Sequence, residues 1–449
     1  MKETTNNQHI VTQSETIQIL TEAVKKTKKF HIEIPSKSIS CKTLIQSYNE
    51  PNKQSDTLPE HNNFYIVGYA KAILSESFLE QLANKLRPLL SQYIDYESDT
   101  IGSGLVSLTG GMATPSLIDF TRTLIKASVI LGPETVAKVL FGWISGEPIR
   151  YKVKVLFKKM LPDEPVNLEG MEIMPLPNTT EELLALIPHS IYNHDGIGKL
   201  RNRAILTIDS TIQPALYKPS NRSGIQKKIT SSIGDHSYFN LHKNLNNFCN
   251  ALSLARNACI TWDTCWDDLG YLLAFRDNGS FGYGSPRVPS ADDYVKVEQH
   301  HMTQAWDIYM KLYGLHTKMT ILNIATHRWV KSKLSKFNYT DNYIDLRIAL
   351  EALFLGSSDK GELSFRLATN GAWYLGANPK ERCEYFNMFR SIYTLSSKMI
   401  HASYRDEVSR EDHSILEKTQ NACRDGILKR IEEGQEPKWN EVIMGVKQT

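Results

Sequence analysis

The residues of this chain with the types and spacing of metal ligands form two small clusters. The segment WDTCWDDLG places Asp263 and Asp267 four residues apart with Asp268 beside them, which on one helical face could hold a hard cation. The segment EQHH places Glu298 and His301 three residues apart, half of a di-iron bundle motif, but the chain has no second E-x-x-H. Surface carboxylates and a solvated helix face are the simpler interpretations. We therefore expect no metal and no cofactor.

Other motifs that carry chemistry are missing from the sequence. It contains no GxSxG elbow, no HExxH and no Cys/His spacing of the zinc type. The Gly-rich stretch 101–115 lacks the GK[ST] ending of a phosphate loop, so we interpret it as a turn. The common metallohydrolases, serine hydrolases and P-loop nucleotidases are thereby disfavoured.

Clusters of cations are the stronger signal. Lysine and arginine beside aromatic side chains are what single-stranded RNA requires, although charge runs are usually plain solvated faces. Each group alone is weak evidence for a nucleic-acid partner. There are three such groups: Arg150, Lys152 and Lys154; Lys199, Arg201 and Arg203; and His327, Arg328, Lys331, Lys333 and Lys336 around Trp329.

Length and composition indicate a globular, multidomain protein of the cytoplasm. The 449 residues exceed one ordinary core, and 41% apolar with 22% charged residues is typical of soluble proteins. Six cysteines without a CxxC pair, and a polar start without an apolar h-region, favour reduced thiols and no export. With a net charge of only +3, any polyanion must be met by local patches.

The N-terminal half predicts an α+β domain with an antiparallel sheet, over residues 61–220 after a polar segment 1–60. We expect a first strand from Phe64 and a helix from Ser75. In IRYKVKVLF, apolar and cationic residues alternate, which predicts a half-buried strand. MEIMPL follows the turn residues 167–170 as in a hairpin, and RAILTIDS and IQPALYKP predict two more strands.

The C-terminal half, residues 235–435, predicts an all-α domain, including a helix over FCNALSLARNACITWDTCW. In DLRIALEALF, Leu346, Ala349, Leu350 and Leu353 form an inward stripe, with Arg347 and Glu351 paired outside it. A second helix, ELSFRLATNGAWYLG, points Leu363, Leu367 and Trp373 inward. A long third helix starts near Pro379 and presents Tyr385, Phe389, Ile392, Leu395 and Ile400 to the core.

The order of these segments, with IYTLSSKMIHAS closing the last helix, resembles the Apea-like branch of the HEPN superfamily. The resemblance covers roughly residues 321–404, under a fifth of the chain. It implies a HEPN-type helical bundle, an RNA partner, pairing into a homodimer or higher homo-oligomer, and a role in prokaryotic antiviral defence or as a toxin. A protein partner is a further expectation.

The resemblance also implies RNA cleavage without a metal, by an arginine and a histidine near the end of the last helix. His401 stands at the histidine position, and a histidine of near-neutral pKa can move the protons of the 2′-OH and the leaving 5′-oxygen. Ser396 stands where the arginine belongs. Lys398, Arg405 or Arg390 would then supply the charge on the phosphate, Arg390 only across a dimer because it lies about 16 Å away along the helix.

Two functions therefore stay open from the sequence. The chain is a metal-independent endoribonuclease with His401, Lys398 and Ser396 at the catalytic position, or an inactive HEPN module that binds RNA or oligomerises as a scaffold. In either case the expected RNA contacts are Arg390, Arg405, Arg328, Lys331 and Lys333. A lysine and a histidine in the last turn of a helix also have a purely structural explanation, the favourable interaction with the helix dipole.

Overall fold

A computed structural model describes most of the chain. The described residues are 11–28, 75–103, 114–158, 160–168, 171–176, 203–213, 215–221, 230–231, 234–235, 238–268, 272, 275, 283–284, 295–313, 320–334, 339–355, 362–401 and 409–445. The strand predicted from Phe64, the Gly-rich residues 104–113 and the cations Lys199 and Arg201 lie outside them.

The helices and strands alternate in the first half of the chain, and helices predominate in the second. The helices are α1 Gln13–Lys28, α2 Glu76–Leu90, α3 Leu117–Leu131, α4 Pro133–Ile144, α5 Tyr238–Arg256, α6 Gln299–Tyr313, α7 Thr320–Ser332, α8 Tyr339–Phe354, α9 Leu363–Leu375, α10 Pro379–His401, α11 Arg410–Glu433 and α12 Trp439–Ile443. The strands are β1 Ile94–Asp95, β2 Thr100–Ser103, β3 Ile149–Phe157, β4 Met160–Pro162, β5 Val166–Leu168, β6 Met171–Pro175, β7 Ala204–Ile212, β8 Leu216–Tyr217, β9 Thr230–Ser231, β10 Gly234–Asp235, β11 Trp262–Asp268, β12 Tyr283–Gly284 and β13 Val295–Val297.

The chain forms two compact units. The first comprises Met1–Leu156, Glu169–Asn244 and Thr264–Gly284, and the second comprises Phe157–Leu168, Leu245–Asp263 and Ser285–Thr449. The α+β class is confirmed, with antiparallel sheets and a helical C-terminal region. The unit limits differ from the predicted 61–220 and 235–435, because each unit is assembled from separate stretches of the chain.

The main sheet is organised around β7, and its strand order is β10-β9-β7-β3-β11-β12. Both β3 and β6 pair antiparallel with β7, so that Val153 and Met171 each lie opposite Ile208. The predicted hairpin of β3 with β6 is therefore wrong. β6 pairs with β5 and β7, and β3 pairs with β7, which offers a longer apolar edge than β6.

Helices of the first unit follow the predicted apolar faces. Along α2, Leu79, Leu82 and Leu86 are buried, as expected from their helical spacing. Ser116 caps α3 by accepting a hydrogen bond from the Asp119 amide. In the segment predicted to be merely polar, 1–60, α1 forms and packs against α3 and α4 with Leu20 and Ala23 buried. The lysines at the end of α1 made this segment polar in its composition, and the short apolar stripe of the helix was therefore not predicted.

The C-terminal region is not all-helical. Residues 262–268 form β11 instead of continuing the predicted helix, and β13 pairs in parallel with β4. The turn at Asn257, which has a positive φ of 55°, ends α5 and lets the chain reverse. In the strand that follows, Trp262 and Cys265 are buried. Trp262 and Trp266 are four residues apart, a spacing that puts them on one face of a strand as well as of a helix, and tertiary packing selects the strand.

The bundle of the second unit packs α8 against α7, and α9 against α10. The predicted stripe of α8 is confirmed, since Leu346, Ala349, Leu350 and Leu353 are all buried. A Cβ atom at Gly371 would lie 2.6 Å from a ring carbon of Phe389, so only glycine allows α9 to approach α10 this closely. Ile400, predicted to supply apolar contacts, is 50% exposed, whereas Phe389 and Ile392 of the same helix are buried. No helix among the described residues is long and apolar enough to cross a membrane.

Candidate nucleic-acid interface

The last turns of α10 separate the residues predicted to act together. Ser396 is completely buried, and its hydroxyl donates a hydrogen bond of 2.9 Å to the Tyr393 carbonyl one turn back. Lys398 is exposed. At about 100° per residue, the two positions lie on opposite sides of the helix. The position expected for an arginine thus faces the interior of the bundle.

His401 is the final residue of α10, and the structure describes its backbone but not its side chain. Its position lies about 60° around the helix axis from Lys398 and about 140° from Ser396. Arg405 lies outside the described residues. Of the residues expected to hold the phosphate, the described part of the chain therefore brings only Lys398 close to His401 along the helix.

Two cations of the basic run on α7 are bound to other side chains of the protein. The Arg328 guanidinium donates to the Asp345 carboxylate of α8 at 2.6 Å. The Lys333 ammonium lies 3.1 Å from the side-chain oxygen of Asn257, and burial lowers its pKa. Lys331 is only partly exposed. Of the predicted RNA contacts in this run, Arg328 and Lys333 are bound to other side chains, and Lys331 faces solvent in part.

Strand β3 also carries a cation that is paired within the protein. Its Lys154 ammonium is buried and lies 2.9 Å from the Asp268 carboxylate of β11. Lys158, just beyond β3, pairs with Asp263 at 3.3 Å. One cation of the predicted row, Lys154, is thus paired with an aspartate of the predicted acidic cluster, while Arg150 of the same row is exposed.

An open groove lies beside α10, between its middle turns and the start of α9. Its volume is about 620 Å³, and its lining residues are Glu362, Leu363, Ser364, Phe365, Arg390 and Tyr393. We call it the α9–α10 groove. Phe365 is 50% exposed, and its ring meets the Phe386 ring edge-on at 5.6 Å. Arg390 is exposed and lies over the Phe386 ring. Among the described residues, no carboxylate forms an ion pair with Arg390.

Arg347 of α8 holds Tyr393, one of the residues that line the groove. Its guanidinium lies 3.9 Å from the centre of the Tyr393 ring and donates a 2.7 Å hydrogen bond to the Tyr393 hydroxyl. The same side chain donates to Glu351 at 2.8 Å, which confirms the predicted Arg347–Glu351 pair. The Tyr393 ring is thereby held in one orientation, and part of its hydrogen-bonding capacity is already used.

Sequence reasoning found Arg390 but missed the aromatic residues around it. Phe386, Arg390 and Tyr393 are spaced i, i+4 and i+7, which places them on one helical face. That face is adjacent to the buried face of Phe389 and Ile392, and the pattern of apolar residues alone could not separate the two. Phe365 had no signal in the sequence beyond its position in the first turn of α9.

The EQHH segment does bring potential ligands together. Atoms of Glu298, His300 and His301 lie within 4.8 Å of one another, and all three residues lie at the start of α6. The His301 Nδ1 atom accepts a 3.1 Å hydrogen bond from the Glu298 amide, and thereby caps the helix. Burial, with the nearby His300 and Arg256, lowers the pKa of His301. A capped helix start therefore accounts for this cluster.

Comparisons with known proteins leave the family undecided: no family model, no curated protein and no solved structure matches this chain.

Proposed function

We propose that this chain is an RNA-directed protein whose second unit is a HEPN-type RNA-binding module. The proposal starts from the resemblance of residues 321–404 to Apea-like HEPN domains and from the order of α7, α8, α9 and α10 that these residues form. A role in prokaryotic antiviral defence or as a toxin belongs to the same proposal.

The observation that carries the binding function is the unpaired charge of α10. Lys398 and Arg390 are both exposed, and the described residues offer neither of them an ion-pair partner. Lys154 and Arg328, two described cations of the predicted patches, are paired with carboxylates. Two cations on one helix that lack such a partner among the described residues are suited to a polyanion. Their spacing along α10, about 12 Å, is that of two or more nucleotides of an extended strand.

Binding is the better supported of the two functions because the catalytic pair is incomplete within one chain. An arginine would have to lie where Ser396 is buried, and the lysine beside His401 offers only a point charge without a bidentate fork. Charge stabilisation of the transition state by a fixed donor pair is a large part of such catalysis.

Metal-independent cleavage remains a second candidate, and the exposure of Lys398 one turn before His401 favours it. In that case His401 acts as the general acid or base, and a second protomer supplies Arg390 to the phosphate. Homodimer formation is then a requirement of the activity.

One experiment separates these functions. The wild type and His401→Ala are incubated with single-stranded RNA in EDTA, while retention is measured by fluorescence anisotropy and products by gel. Retention without products in either protein supports the binding module. Products that end in 2′,3′-cyclic phosphate and disappear in His401→Ala support the enzyme. Absence of both retention and products contradicts the RNA-directed function and leaves a dimerising bundle.

A further inference from the structure

We propose that the α9–α10 groove is a subsite for one unpaired nucleotide, whose base stacks on Phe365 and whose phosphate is held by Arg390. This inference rests on the proposed function and specifies which form of RNA the module takes. Its occupant is a single strand, because in a duplex the faces of each base are covered by the stacked neighbours.

The aromatic side chains of the groove suit a base. Phe365 is a large apolar ring that is half exposed, and Phe386 braces it edge-on at 5.6 Å. Tyr393 lines the same space and is held by the Arg347 guanidinium at 2.7 Å. A ring fixed in advance loses little conformational entropy when a base stacks on it. Stacking on such rings tolerates any base, since every base has a π-face.

The charges of the groove orient the nucleotide. Arg390 is exposed, lies over the Phe386 ring and has no ion-pair partner in the described part of the chain, so its planar donors are available to a phosphate. Glu362 lines the groove as well, and a carboxylate repels a phosphate placed beside it. The phosphate is therefore expected at the Arg390 side, and the base edge, with its amino or imino donors, toward Glu362.

Size and shape agree with this occupant. A volume of about 620 Å³ is in the range of sites for nucleotide-sized ligands. The groove is open to solvent, so a strand can enter and leave it on either side of the bound nucleotide. A duplex would present only its phosphates, because its bases remain stacked in the helix.

The test compares binding of an eight-nucleotide single-stranded RNA with that of the same sequence as a duplex. The wild type is expected to prefer the single strand. Phe365→Ala should weaken single-strand binding about 10- to 100-fold and leave duplex binding unchanged, whereas Phe365→Trp should restore it. Arg390→Gln should also weaken binding and reduce the slope of log affinity against log salt by about 0.7, one phosphate contact of a single strand.

Matched controls and a direct signal complete the test. Met310→Ala removes an equally exposed apolar side chain on α6, and Arg410→Gln removes an exposed arginine at the start of α11; both should bind like the wild type. With 2-aminopurine placed at successive positions of the strand, stacking should quench fluorescence at one position, and Phe365→Ala should abolish that quenching. Thermal unfolding of each variant verifies that it is folded.

The outcomes distinguish the two proposals. If the wild type retains single-stranded RNA and neither Phe365→Ala nor Arg390→Gln weakens it, the groove is not the subsite and the RNA-binding function stands. If the wild type retains no RNA, both proposals fail. If Phe365→Ala changes the sedimentation of the protein but not its RNA affinity, a second copy of the chain covers the groove and the inference is overturned.

Discussion

The basic run on α7 and the α9–α10 groove both combine cations with aromatic side chains, but they differ in how the cations are paired. On α7, Arg328 lies 2.6 Å from Asp345, and Lys333 lies 3.1 Å from the Asn257 side chain. In the groove, Arg390 is exposed, lies over the Phe386 ring and forms no ion pair with the described residues. Density of charge in the sequence is thus a poor guide to a binding surface. The partners that the fold brings to each cation decide what it can bind.

An arginine placed inside the bundle tests this contrast with the largest expected effect. Ser396→Arg would restore the arginine and histidine of the catalytic motif in the sequence. Position 396 is fully buried, however, and holds only a hydroxyl group that donates to the Tyr393 carbonyl. We expect loss of several kcal/mol of the free energy of unfolding, since a buried charge without a partner is costly. Urea unfolding followed by circular dichroism measures it. Ser396→Ala is the control, with a loss of about 1 kcal/mol; equal stability of the arginine variant would show that position 396 faces solvent.

The close contact between the helices that border the groove is tested next. Gly371→Ala adds a Cβ atom 2.6 Å from the Phe389 ring, so α9 and α10 must separate. The free energy of unfolding should fall by about 1–3 kcal/mol, as for other overpacked cores. The shift of the midpoint in urea gives the value. The control is Ala372→Gly, in the same turn of α9 as Gly371, which should cost only about 1 kcal/mol. Gly434→Ala is a less suitable control because the φ of Gly434 is 68°.

The exposed arginine should matter for binding and not for folding. Arg390→Gln is expected to weaken single-stranded RNA by about 1–1.5 kcal/mol, roughly tenfold, while the midpoint of unfolding stays unchanged. Anisotropy titrations at several salt concentrations provide the affinity. A lowered midpoint of unfolding with unchanged affinity would reverse the assignment and make Arg390 a structural residue.

The paired arginine on α7 should show the opposite behaviour with the smallest effect. Arg328→Gln leaves Asp345 without its cation, and the free energy of unfolding should fall by about 0.5–1 kcal/mol because the pair is partly exposed. RNA affinity should remain that of the wild type. The same two measurements as for Arg390→Gln apply, so the two substitutions form a matched pair. Similar profiles for both would remove the contrast between α7 and the groove.

The predictions from sequence succeeded where one face of an element carries the signal. Leu79, Leu82 and Leu86 on α2, and the stripe on α8, are buried as their spacing indicated. The strand β3 and the start of α10 at Pro379 also lie where expected. Local periodicity and backbone preferences are contained in a short window of the chain, so they can be read without knowing what packs against it.

The failures concern pairing between distant segments. The partner of β3 is β7, about fifty residues away, and residues 262–268 form a strand although their spacing also suits a helix. Such choices depend on which apolar edges compete for the same neighbour, and that competition is settled over the whole fold. The HEPN family and the RNA-directed function remain proposals.

The α+β class, the helical C-terminal region and the placement of His401, Lys398 and Arg390 on one helix follow from local sequence patterns. The tertiary fold places Ser396 in the core, pairs Arg328 and Lys333 with other side chains, and puts Arg390 in a groove with Phe365 and Tyr393, without an ion pair among the described residues. The physical reason is that helical spacing fixes the angle between two side chains on one element. What each side chain faces depends on elements that lie far away in the chain.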